Sequence, residues 1–590
     1  MALHGSRSGK GSGSRKRLKV QDDLRIKELE DNLTASISSS ASLNPLADLI
    51  SLTVSLHNPQ SVLKAIYACY RLFVLLISQG RLENSTSEQE KLVRVWVLER
   101  LDEYVQFLTG LLQDEEPLLR TSALDILMSL LKHLSSSLTR SSHTPQFHVP
   151  HFKKVVAALL TCPLSERGGK KQTVQEVLLA RGLDAEVRDL FISKWLNVNV
   201  DVRWFFLRDA EPVLSSTIDP HVPENLLALL ERLESVPATP SDLKSQSWWV
   251  EELQTKPAGP KNAPTGSDPD SDDGLEATED DWRKFFDDEK QKKPSGQEPS
   301  TRLRRLTVHQ SLHSLASHRA VFTRLWLRLL PRLSGNNDAE SALSLRVLNV
   351  MHRGVMPHLT RAVMVMDWVG RCVDYGGAVG LLALNTLFIL MQEYNLDYPS
   401  FYTRLYAFLD QDLLHLKYRS RFFRLAELFL SSMHLPATLL ASFVKRLSRL
   451  SLTAPPSSIV ITIPFVYNIL RRHPALMRMI HRDDEEPAPF EGTPNPNLTN
   501  ALDSSLWELR SHKRHYHAGV STLACIFDEA FTKPNYPLED FLDHTYATLI
   551  EGELKRRTKK DPAVEIDEPI GTFGEGDDSG GTIVESLWTF

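Results

Sequence analysis

The fold is decided by two adjoining stretches, LNTLFILMQEYNLDYPSFYTRLYAFLD at residues 384–410 and HLKYRSRFFRLAELFLSSMHLPATLLASFVKRLSRLSLTAPP at residues 415–456. Their apolar residues recur every three or four positions, which is the period of a helix with one buried face. Pro399, Pro436 and Pro455 stand where helices begin, because the first helical turn tolerates a missing N–H. The stretches hold no nucleophile beside a base, no metal-ligand cluster and no glycine-rich phosphate loop. They therefore predict a surface for binding rather than a site for chemistry.

The composition of the chain suits several buried cores and a reducing compartment. Of its 590 residues 42% are hydrophobic, and a net charge of −6 conceals segregated charges. Residues 1–20 are basic without an acid, residues 555–560 form a second basic cluster, and residues 561–590 contain eight acids and no base. The four scattered cysteines argue against a disulfide framework. We expect neither a secretory signal nor a membrane-spanning helix, since no apolar stretch reaches about 20 residues.

Upstream of the quoted stretches the pattern is also helical. Amphipathic helices are predicted over 62–77, 91–112 and 117–134, with short polar connections. Such pairs are typical of an α-solenoid of the HEAT or armadillo type. No exact internal repeat is visible, so an irregular helical bundle stays open. We predict an all-α fold in two helical blocks, in which the one β-like run, 459–463, belongs to a helix kinked at Pro464.

Changes of composition divide the chain into segments. We predict a disordered basic tail at 1–20, a solenoid-like region at 22–255, a disordered acidic linker at 256–300, a helical region at 301–380, a domain around the quoted stretches at 381–531, a helical extension with a basic cluster at 532–560 and an acidic tail at 561–590. The linker is expected to be disordered because it is rich in proline, glycine and acid, and buries too little apolar surface to offset its ordering entropy.

Basic side chains in and after the quoted stretches predict an interaction surface. On a helical wheel, the side chains of Lys445, Arg446 and Arg449 lie opposite the apolar side of their helix. The candidate set is Lys417, Arg419, Arg421, Arg424, Lys445, Arg446, Arg449, Arg471 and Arg472. Such a set suits RNA phosphates or an acidic partner, although no RNA-reading motif is visible. The alternative is the solvated back of buried helices.

Two further candidate features lie elsewhere. Trp282, Phe285 and Phe286, inside the acidic linker, would align on one helical face, which predicts a segment that folds into a partner's groove. Docking of this segment back onto the same chain stays open. The histidines at 512, 515 and 517 lack a nearby fourth ligand, so we predict no metal site there.

Two basic clusters predict nuclear import. They consist of Arg15, Lys16, Arg17, Lys19, Lys555, Arg556, Arg557, Lys559 and Lys560. Short clusters of this kind in exposed tails suit import signals. The alternative is that each cluster only keeps a tail soluble.

Several short runs, in the right order, resemble one known family. They are YPSFY at 398–402, KYRSRFF at 417–423, FLSS at 429–432, LPA at 435–437, FVKRL at 443–447, LTAPP at 452–456, RRHP at 471–474, SSLWEL at 504–509 and HYH at 515–517. They are similar to the CCAAT-binding-factor domain of the nucleolar complex-associated ribosome-assembly proteins. The match ends near Phe531, so the segment 381–531 is identified with this domain, and residues 1–340 carry no comparable signature.

The resemblance implies a non-catalytic nucleolar factor that acts in early small-subunit (40S) pre-ribosomes, the small-subunit processome. It implies support of 18S rRNA maturation and pre-40S export through a stable complex with nucleolar protein fourteen. Other small-subunit pre-ribosome proteins are implied partners, and no cofactor, metal or small-molecule substrate is implied. A direct pre-rRNA-binding protein stays open. A sequence-specific DNA-binding transcription factor or an enzyme would need a DNA-reading module or a cofactor loop, which the sequence does not display.

Overall fold

The computed structural model describes residues 11–39, 42–82, 88–142, 144–165, 167, 182–217, 219–255, 307–333, 338–398, 400–481 and 490–555, with side chains of the first helix described from Val20 onward. Within these residues the regular structure is helical, and the β-type contacts reduce to one isolated bridge between Asn199 and Ser247. The predicted all-α fold is confirmed. Contacts divide the chain into two units, Met1–Phe401 and Tyr402–Phe590.

The first unit is a succession of helices joined mostly by short connections. They are α1 (Gly11–Ser39), α2 (Pro45–Ser55), α3 (Pro59–Ser78), α4 (Glu88–Leu111), α5 (Pro117–Ser142), α6 (Val149–Thr161), α7 (Ala185–Phe191), α8 (Val200–Ser216), α9 (His221–Leu230), α10 (Pro240–Ser245), α11 (Val308–Leu312), α12 (Leu315–Leu329), α13 (Asp338–Val350), α14 (Met366–Asp374) and α15 (Gly377–Glu393). The helices predicted over 62–77, 91–112 and 117–134 are α3, α4 and α5, so these predictions are confirmed.

Helix α1 begins inside the segment that was predicted to be a disordered basic tail. Its backbone is helical from Gly11, so residues 11–20 of that segment are helical, while residues 1–10 lie outside the described residues. Lysine and arginine are good helix formers, so their charge alone does not prevent a helix. Further along, Arg71 of α3 pairs with Glu30 of α1 through two hydrogen bonds of 2.6 and 2.9 Å.

Helix α3 is a core helix of the first unit. The Asn58 side chain caps the helix, because its Oδ1 accepts a hydrogen bond of 3.1 Å from the backbone N–H of Gln60. Among the described residues it is the one helix that is long and apolar enough to cross a membrane, judged by length and composition alone. In the structure much of its apolar surface is buried inside the unit, and Tyr104 of α4 donates a hydrogen bond of 2.7 Å to the Ile66 carbonyl.

Helix α8 organises the later part of the first unit. Its Asp201 is buried and accepts hydrogen bonds from the backbone N–H groups of Trp249 (3.0 Å) and Val250 (2.9 Å). Burial raises the pKa of Asp201, although these hydrogen bonds oppose the rise. Trp204 of the same helix donates through Nε1 to Ser317 Oγ of α12 at 3.1 Å. Helices on both sides of the predicted linker therefore pack within one unit, and the division of the chain falls at residue 401 instead.

The second unit surrounds one central helix. Its helices are α16 (Phe401–Ala407), α17 (Arg419–Leu430), α18 (Ala437–Ser451), α19 (Pro456–Arg472), α20 (Trp507–Ser511), α21 (Ala518–Ala524), α22 (Glu539–Leu542) and α23 (Tyr546–Lys555). Every residue from Pro456 to Leu470 of α19 is buried, and the helix continues through Pro464. A helix covered on all sides needs no polar face, which explains its β-like apolar run. The Tyr467 ring stacks on Phe531 at 5.0 Å between centroids.

The cysteines divide into buried and exposed thiols. Cys69, Cys162 and Cys372 are buried, and burial raises the pKa of each thiol to about 12. Cys525, which follows α21, is exposed. The buried thiols therefore stay protonated and act as small apolar side chains.

Candidate partner and RNA interface

The predicted basic surface lies on three helices of the second unit. Arg419, Arg421 and Arg424 lie on α17, while Lys445, Arg446 and Arg449 lie on α18. Arg471 and Arg472 end α19, and Lys417 precedes α17. Most of these side chains have contacts within the unit.

Lys445 lies in the interior, contrary to its predicted place on the solvated back of α18. The residue is 3% exposed, and its Nζ donates hydrogen bonds of 2.6 Å to the Ser505 carbonyl and of 2.6 Å to Glu508 Oε1. Glu508 itself is 0% exposed. The chain after Pro496 covers the polar side of α18, as shown by the bond from Ser442 Oγ to the Pro496 carbonyl. A helical wheel cannot reveal such a cover.

Arg446 and Arg449 lie over aromatic rings. The Arg446 guanidinium carbon is 4.6 Å from the Tyr406 ring centroid, and that of Arg449 is 5.4 Å from the Phe490 ring centroid. Arg446 is half-buried and Arg449 is exposed. These are cation–π contacts, which fix a guanidinium without neutralising its charge. Both guanidinium groups of α18 thus keep their positive charge, and an interaction with an anionic partner stays a prediction.

Arg419 and Arg424 tie α17 to the chain beyond residue 538. Arg419 Nη2 donates to the His544 carbonyl at 2.9 Å and to Ser457 Oγ at 3.1 Å, and burial lowers the pKa of this guanidinium. Arg424 forms a bidentate ion pair with Glu539, in which Nε donates to Oε1 at 2.7 Å and Nη2 donates to Oε2 at 2.6 Å. That pair raises the pKa of Arg424 and lowers the pKa of Glu539. Both arginines therefore have partners inside the unit.

The remaining candidates are scattered. Arg471 donates to Asn535 Oδ1 at 2.8 Å, and Arg472 is half-buried, where its charge opposes the rise that burial causes in the pKa of Glu427. Arg421 lies over the Tyr418 ring at 5.4 Å, and Lys417 is exposed. The structure therefore does not gather the candidate set into one exposed basic patch.

A group of exposed side chains that was not predicted from the sequence lies on α20, on the 3₁₀ turn after it, His512–Arg514, and at Tyr516 just beyond the turn. Trp507 and Tyr516 are 56% and 83% exposed, and Arg510 and Arg514 are exposed beside them. Positions 507, 510 and 514 follow helical spacing, opposite the buried Leu509. This spacing was visible in the sequence, but nothing there showed which side of the turn is buried.

The histidines near this turn have structural contacts. His512 is buried and its Nε2 lies 2.7 Å from Ser451 Oγ, and burial lowers the pKa of His512 to about 4. The His515 ring stacks on the Tyr516 ring at 4.3 Å between centroids. In the described part of the chain, no group of His, Cys, Asp or Glu side chains is arranged to hold a metal ion.

Two other predicted features lie largely outside the described residues. Trp282, Phe285 and Phe286 fall there, as do Arg556, Arg557, Lys559 and Lys560. Arg15, Lys16, Arg17 and Lys19 lie on α1 before the residues whose side chains are described. Lys555 ends α23 and is exposed, with Glu551 Oε2 3.6 Å from its Nζ. Import roles for these residues stay predictions, as do the segment boundaries.

Comparison with known proteins gives two family matches. The CBF/Mak21 family model matches residues 380–524. The model described as nucleolar complex protein 4-like, TPR repeats, matches residues 18–219. TPR repeats are stacked helix–turn–helix units, so this match supports the predicted helical-repeat architecture and assigns it to the TPR type.

Individual proteins from several eukaryotes are also similar to the chain. An uncharacterized protein of Schizosaccharomyces pombe is 34% identical over 556 residues, which cover 92% of this chain and 97% of that protein. Nucleolar complex protein 4 homolog of Homo sapiens is 41% identical over 264 residues, 44% of this chain and 50% of the human protein. Nucleolar complex protein 4 of Saccharomyces cerevisiae is 40% identical over 296 residues, 45% of this chain and 52% of the yeast protein. The aligned part thus spans about half the length of the named relatives.

Helical repeats followed by a CBF/Mak21 match define the class, a nucleolar CBF/Mak21 protein. Within that class, the chain belongs to the nucleolar complex protein 4-like family. The chain is accordingly nucleolar, and its family membership makes it a ribosome-biogenesis factor.

Proposed function

We propose that this nucleolar ribosome-biogenesis factor acts without catalysis, as a helical scaffold in small-subunit (40S) pre-ribosomes. In this role it forms a stable complex with nucleolar protein fourteen within the small-subunit processome, and supports 18S rRNA maturation and pre-40S export. The observation that carries the proposal is the presence, in one chain, of the nucleolar complex protein 4-like repeats and the CBF/Mak21 match. Other small-subunit pre-ribosome proteins are its expected neighbours.

The placement of charged groups supports a scaffold. Asp201 in the first unit and Lys445 in the second are buried, and both are tied to backbone groups of a neighbouring segment. Such groups hold segments of the fold together, which leaves binding to exposed helical faces. Helical repeats offer extended faces of this kind. The mechanism is then steric and thermodynamic, since the scaffold holds a partner, and through it immature rRNA, in a state competent for processing.

Association with pre-ribosomes tests the proposal. The tagged full chain is recovered from nuclear extract, and co-purifying proteins and RNA are identified by mass spectrometry and sequencing. We expect nucleolar protein fourteen, other small-subunit precursor proteins and 18S rRNA precursors. Recovery of large-subunit precursors or of chromatin in their place would overturn the small-subunit assignment.

Charge reversal on α18, measured in the same association assay, tests whether this helix carries the binding face. Arg446→Glu with Arg449→Glu changes the two outward charges of α18 and should leave melting unchanged, because neither guanidinium has a buried ion-pair partner. The matched control reverses Lys154 and Lys194, two surface lysines of the first unit. Loss of pre-ribosome association in the first variant alone supports a binding face on α18.

The absence of catalysis is tested separately. We expect the purified chain neither to hydrolyse ATP or GTP nor to transfer methyl groups. Turnover that co-purifies with the chain and disappears on a single substitution would contradict the scaffold.

A further inference from the structure

The turn formed by α20 and His512–Arg514 is anchored firmly on its inner side. Glu508 and His512 are buried, and each bonds a side chain of α18: Glu508 pairs with Lys445, and His512 with Ser451. Leu509, which lies between these two residues in the sequence, is also buried. These contacts fix the direction in which the outer side of the turn projects.

Two exposed aromatic residues and two exposed arginines occur in this turn and within two residues of its end. Trp507 and Tyr516 are the two large apolar side chains exposed between residues 499 and 531, all of which are described. Arg510 and Arg514 lie three and seven residues after Trp507, so helical spacing sets them on its side. Among the described residues neither guanidinium has an ion-pair or hydrogen-bond partner, whereas Lys513 between them pairs with Asp528.

Charge and surface composition favour nucleic acid over a protein partner. The one acid between residues 504 and 517 is Glu508, which is buried and paired with Lys445, and Asp528 beside the turn is paired with Lys513. The net charge that Arg510 and Arg514 give to this described stretch is therefore positive. A protein-docking site is typically centred on a contiguous, fully desolvated apolar core. Here the rings are separated by cations and polar residues. Exposed rings interleaved with arginine suit unpaired bases and their phosphates.

We propose that Trp507, Arg510, Arg514 and Tyr516 form a binding surface for single-stranded RNA. Bases stack on the two rings, and the two guanidinium groups contact phosphates. None of these four residues belongs to the predicted basic set on α17, α18 and α19, although the Trp507 ring centroid lies 5.8 Å from Nζ of the buried Lys445. It rests on the proposed function only in that the RNA inside the particle would be pre-rRNA.

The test uses the purified full chain and a fluorescein-labelled, single-stranded RNA of mixed sequence, about 15 nucleotides long, which is comparable with known single-strand site sizes. Binding is measured by fluorescence anisotropy at several salt concentrations. Stacking on one ring changes affinity by about tenfold, so Trp507→Ala with Tyr516→Ala should weaken binding by roughly a hundredfold. Trp507→Phe with Tyr516→Phe keeps the rings and should keep most of the affinity.

The arginines are tested in the same assay by Arg510→Glu with Arg514→Glu. This variant should bind more weakly, because two cations that neutralise phosphates are replaced by anions. It should also flatten the plot of log Kd against log salt, by roughly 0.7 for each phosphate that is no longer neutralised. An unchanged slope would show that these guanidinium groups do not touch the RNA backbone.

A matched control changes an exposed ring and an exposed cation elsewhere in the second unit, Tyr546→Ala with Lys533→Glu, and should bind like the unaltered chain. Circular dichroism of every variant checks folding. Equal binding of a duplex, equal weakening in the control, or no RNA binding by the unaltered chain would each overturn the proposal. If the ring variant no longer bound a purified partner protein but still bound RNA, the surface would be assigned to protein docking instead.

The experiments distinguish a failure of the proposed RNA-binding surface from a failure of the proposed scaffold function. A chain that is recovered with small-subunit precursors but binds no RNA when purified would refute this surface and leave the scaffold standing. A chain that binds RNA through these residues but is absent from those precursors would refute the scaffold and leave the surface standing.

Discussion

The Lys445–Glu508 pair places two opposite charges out of water. Burial of a charge is costly, and the mutual attraction of the pair offsets that cost only while both partners are present. Glu508 Oε2 has no hydrogen-bond partner in the described structure, so this carboxylate depends on the contacts of its other oxygen. The pair therefore joins α18 to α20 in a way that tolerates little change.

Lys445→Met should destabilise the second unit by about 3–5 kcal/mol, because it leaves a buried carboxylate without its cation. Denaturant unfolding of the full chain, followed by intrinsic fluorescence, measures the change. Arg449→Met on the exposed side of the same helix is the control, expected within about 0.5 kcal/mol of the unaltered chain. Lys445→Met with Glu508→Met should recover much of the stability, because no charge stays buried. A single variant as stable as the unaltered chain would contradict this account.

At the residue scale, sequence reasoning identified side chains better than their surroundings. Periodicity separates the apolar side of α18 from its polar side, and Phe443 and Leu447 are buried as expected. It cannot show that a segment some sixty residues later returns to cover the polar side. Arg419 was misjudged for the same reason, since its hydrogen bonds reach His544.

At the scale of elements, the backbone at Leu164 lies so close to α4 that a side chain at position 110, near the end of the helix, has no room. A Cβ added at Gly110 would lie 2.9 Å from the Leu164 carbonyl oxygen, and backbone cannot easily move aside. Gly110→Ala should therefore cost about 1–3 kcal/mol by overpacking. The control is Gly552→Ala on α23, where a Cβ meets nothing within 4 Å and alanine favours the helix by about 1 kcal/mol. Urea midpoints measure both changes, and equal midpoints for the two variants would refute the packing argument.

A buried histidine links α6 to α5 and makes the first unit sensitive to acid. His151 Nε2 donates a hydrogen bond of 2.9 Å to the Leu127 carbonyl, and burial lowers the pKa of His151 to about 4. The unfolded chain takes up this proton near pH 6.5, before the folded chain does. Stability is therefore lost as the pH falls from about 6.5 to about 4, by on the order of 1 kcal/mol per pH unit.

His151→Gln removes this titration and retains a donor for Leu127. We expect its unfolding midpoint to fall less steeply between pH 7 and pH 5 than that of the unaltered chain. His415→Gln, at an exposed position, controls for loss of a histidine. Parallel pH profiles for all three proteins would show that the buried imidazole does not govern acid sensitivity.

Helices were more predictable than their arrangement. Spacing of apolar residues located both ends of α3 and α4, and the start of α5, within three residues, because each helix has one side turned to a core. Helix α5 runs eight residues past the predicted end at 134, to Ser142. The run 459–463 looked β-like because α19 is buried all round, and only its prolines favoured a helix. Helix α19 begins after Pro455, and the Thr453 hydroxyl donates a hydrogen bond to the Leu450 carbonyl.

At the scale of the whole molecule, the basic clusters should govern entry into the nucleus. Replacing Arg15, Lys16, Arg17, Lys19 and the basic residues of 555–560 by glutamine should weaken nuclear accumulation, because receptors recognise short cationic segments. Substitution is preferable to deletion because α1 begins at Gly11. Fluorescence microscopy of the tagged chain measures the distribution, with single-cluster variants as controls. Normal nucleolar concentration of the combined variant would favour import on a partner.

The sequence predicted the class of protein better than it predicted where the chain divides into two units. Short family runs after residue 384 pointed to a nucleolar factor. The break at the acidic linker looked like a boundary because composition changes there. Composition does not report that Trp204 and Ser317, on opposite sides of the linker, share a hydrogen bond. Long-range contacts of this kind depend on three-dimensional fit, which no local pattern encodes.

The unequal burial of the four cysteines makes the chain convenient for spectroscopy. A maleimide dye reacts with exposed thiolate, so at neutral pH it should attach to Cys525 and spare Cys69, Cys162 and Cys372 while the protein is folded. A single fluorophore in the second unit thus requires no engineered substitution. The rate at which the other three thiols are modified then reports how often their surroundings open, because each of them reacts only when it becomes exposed.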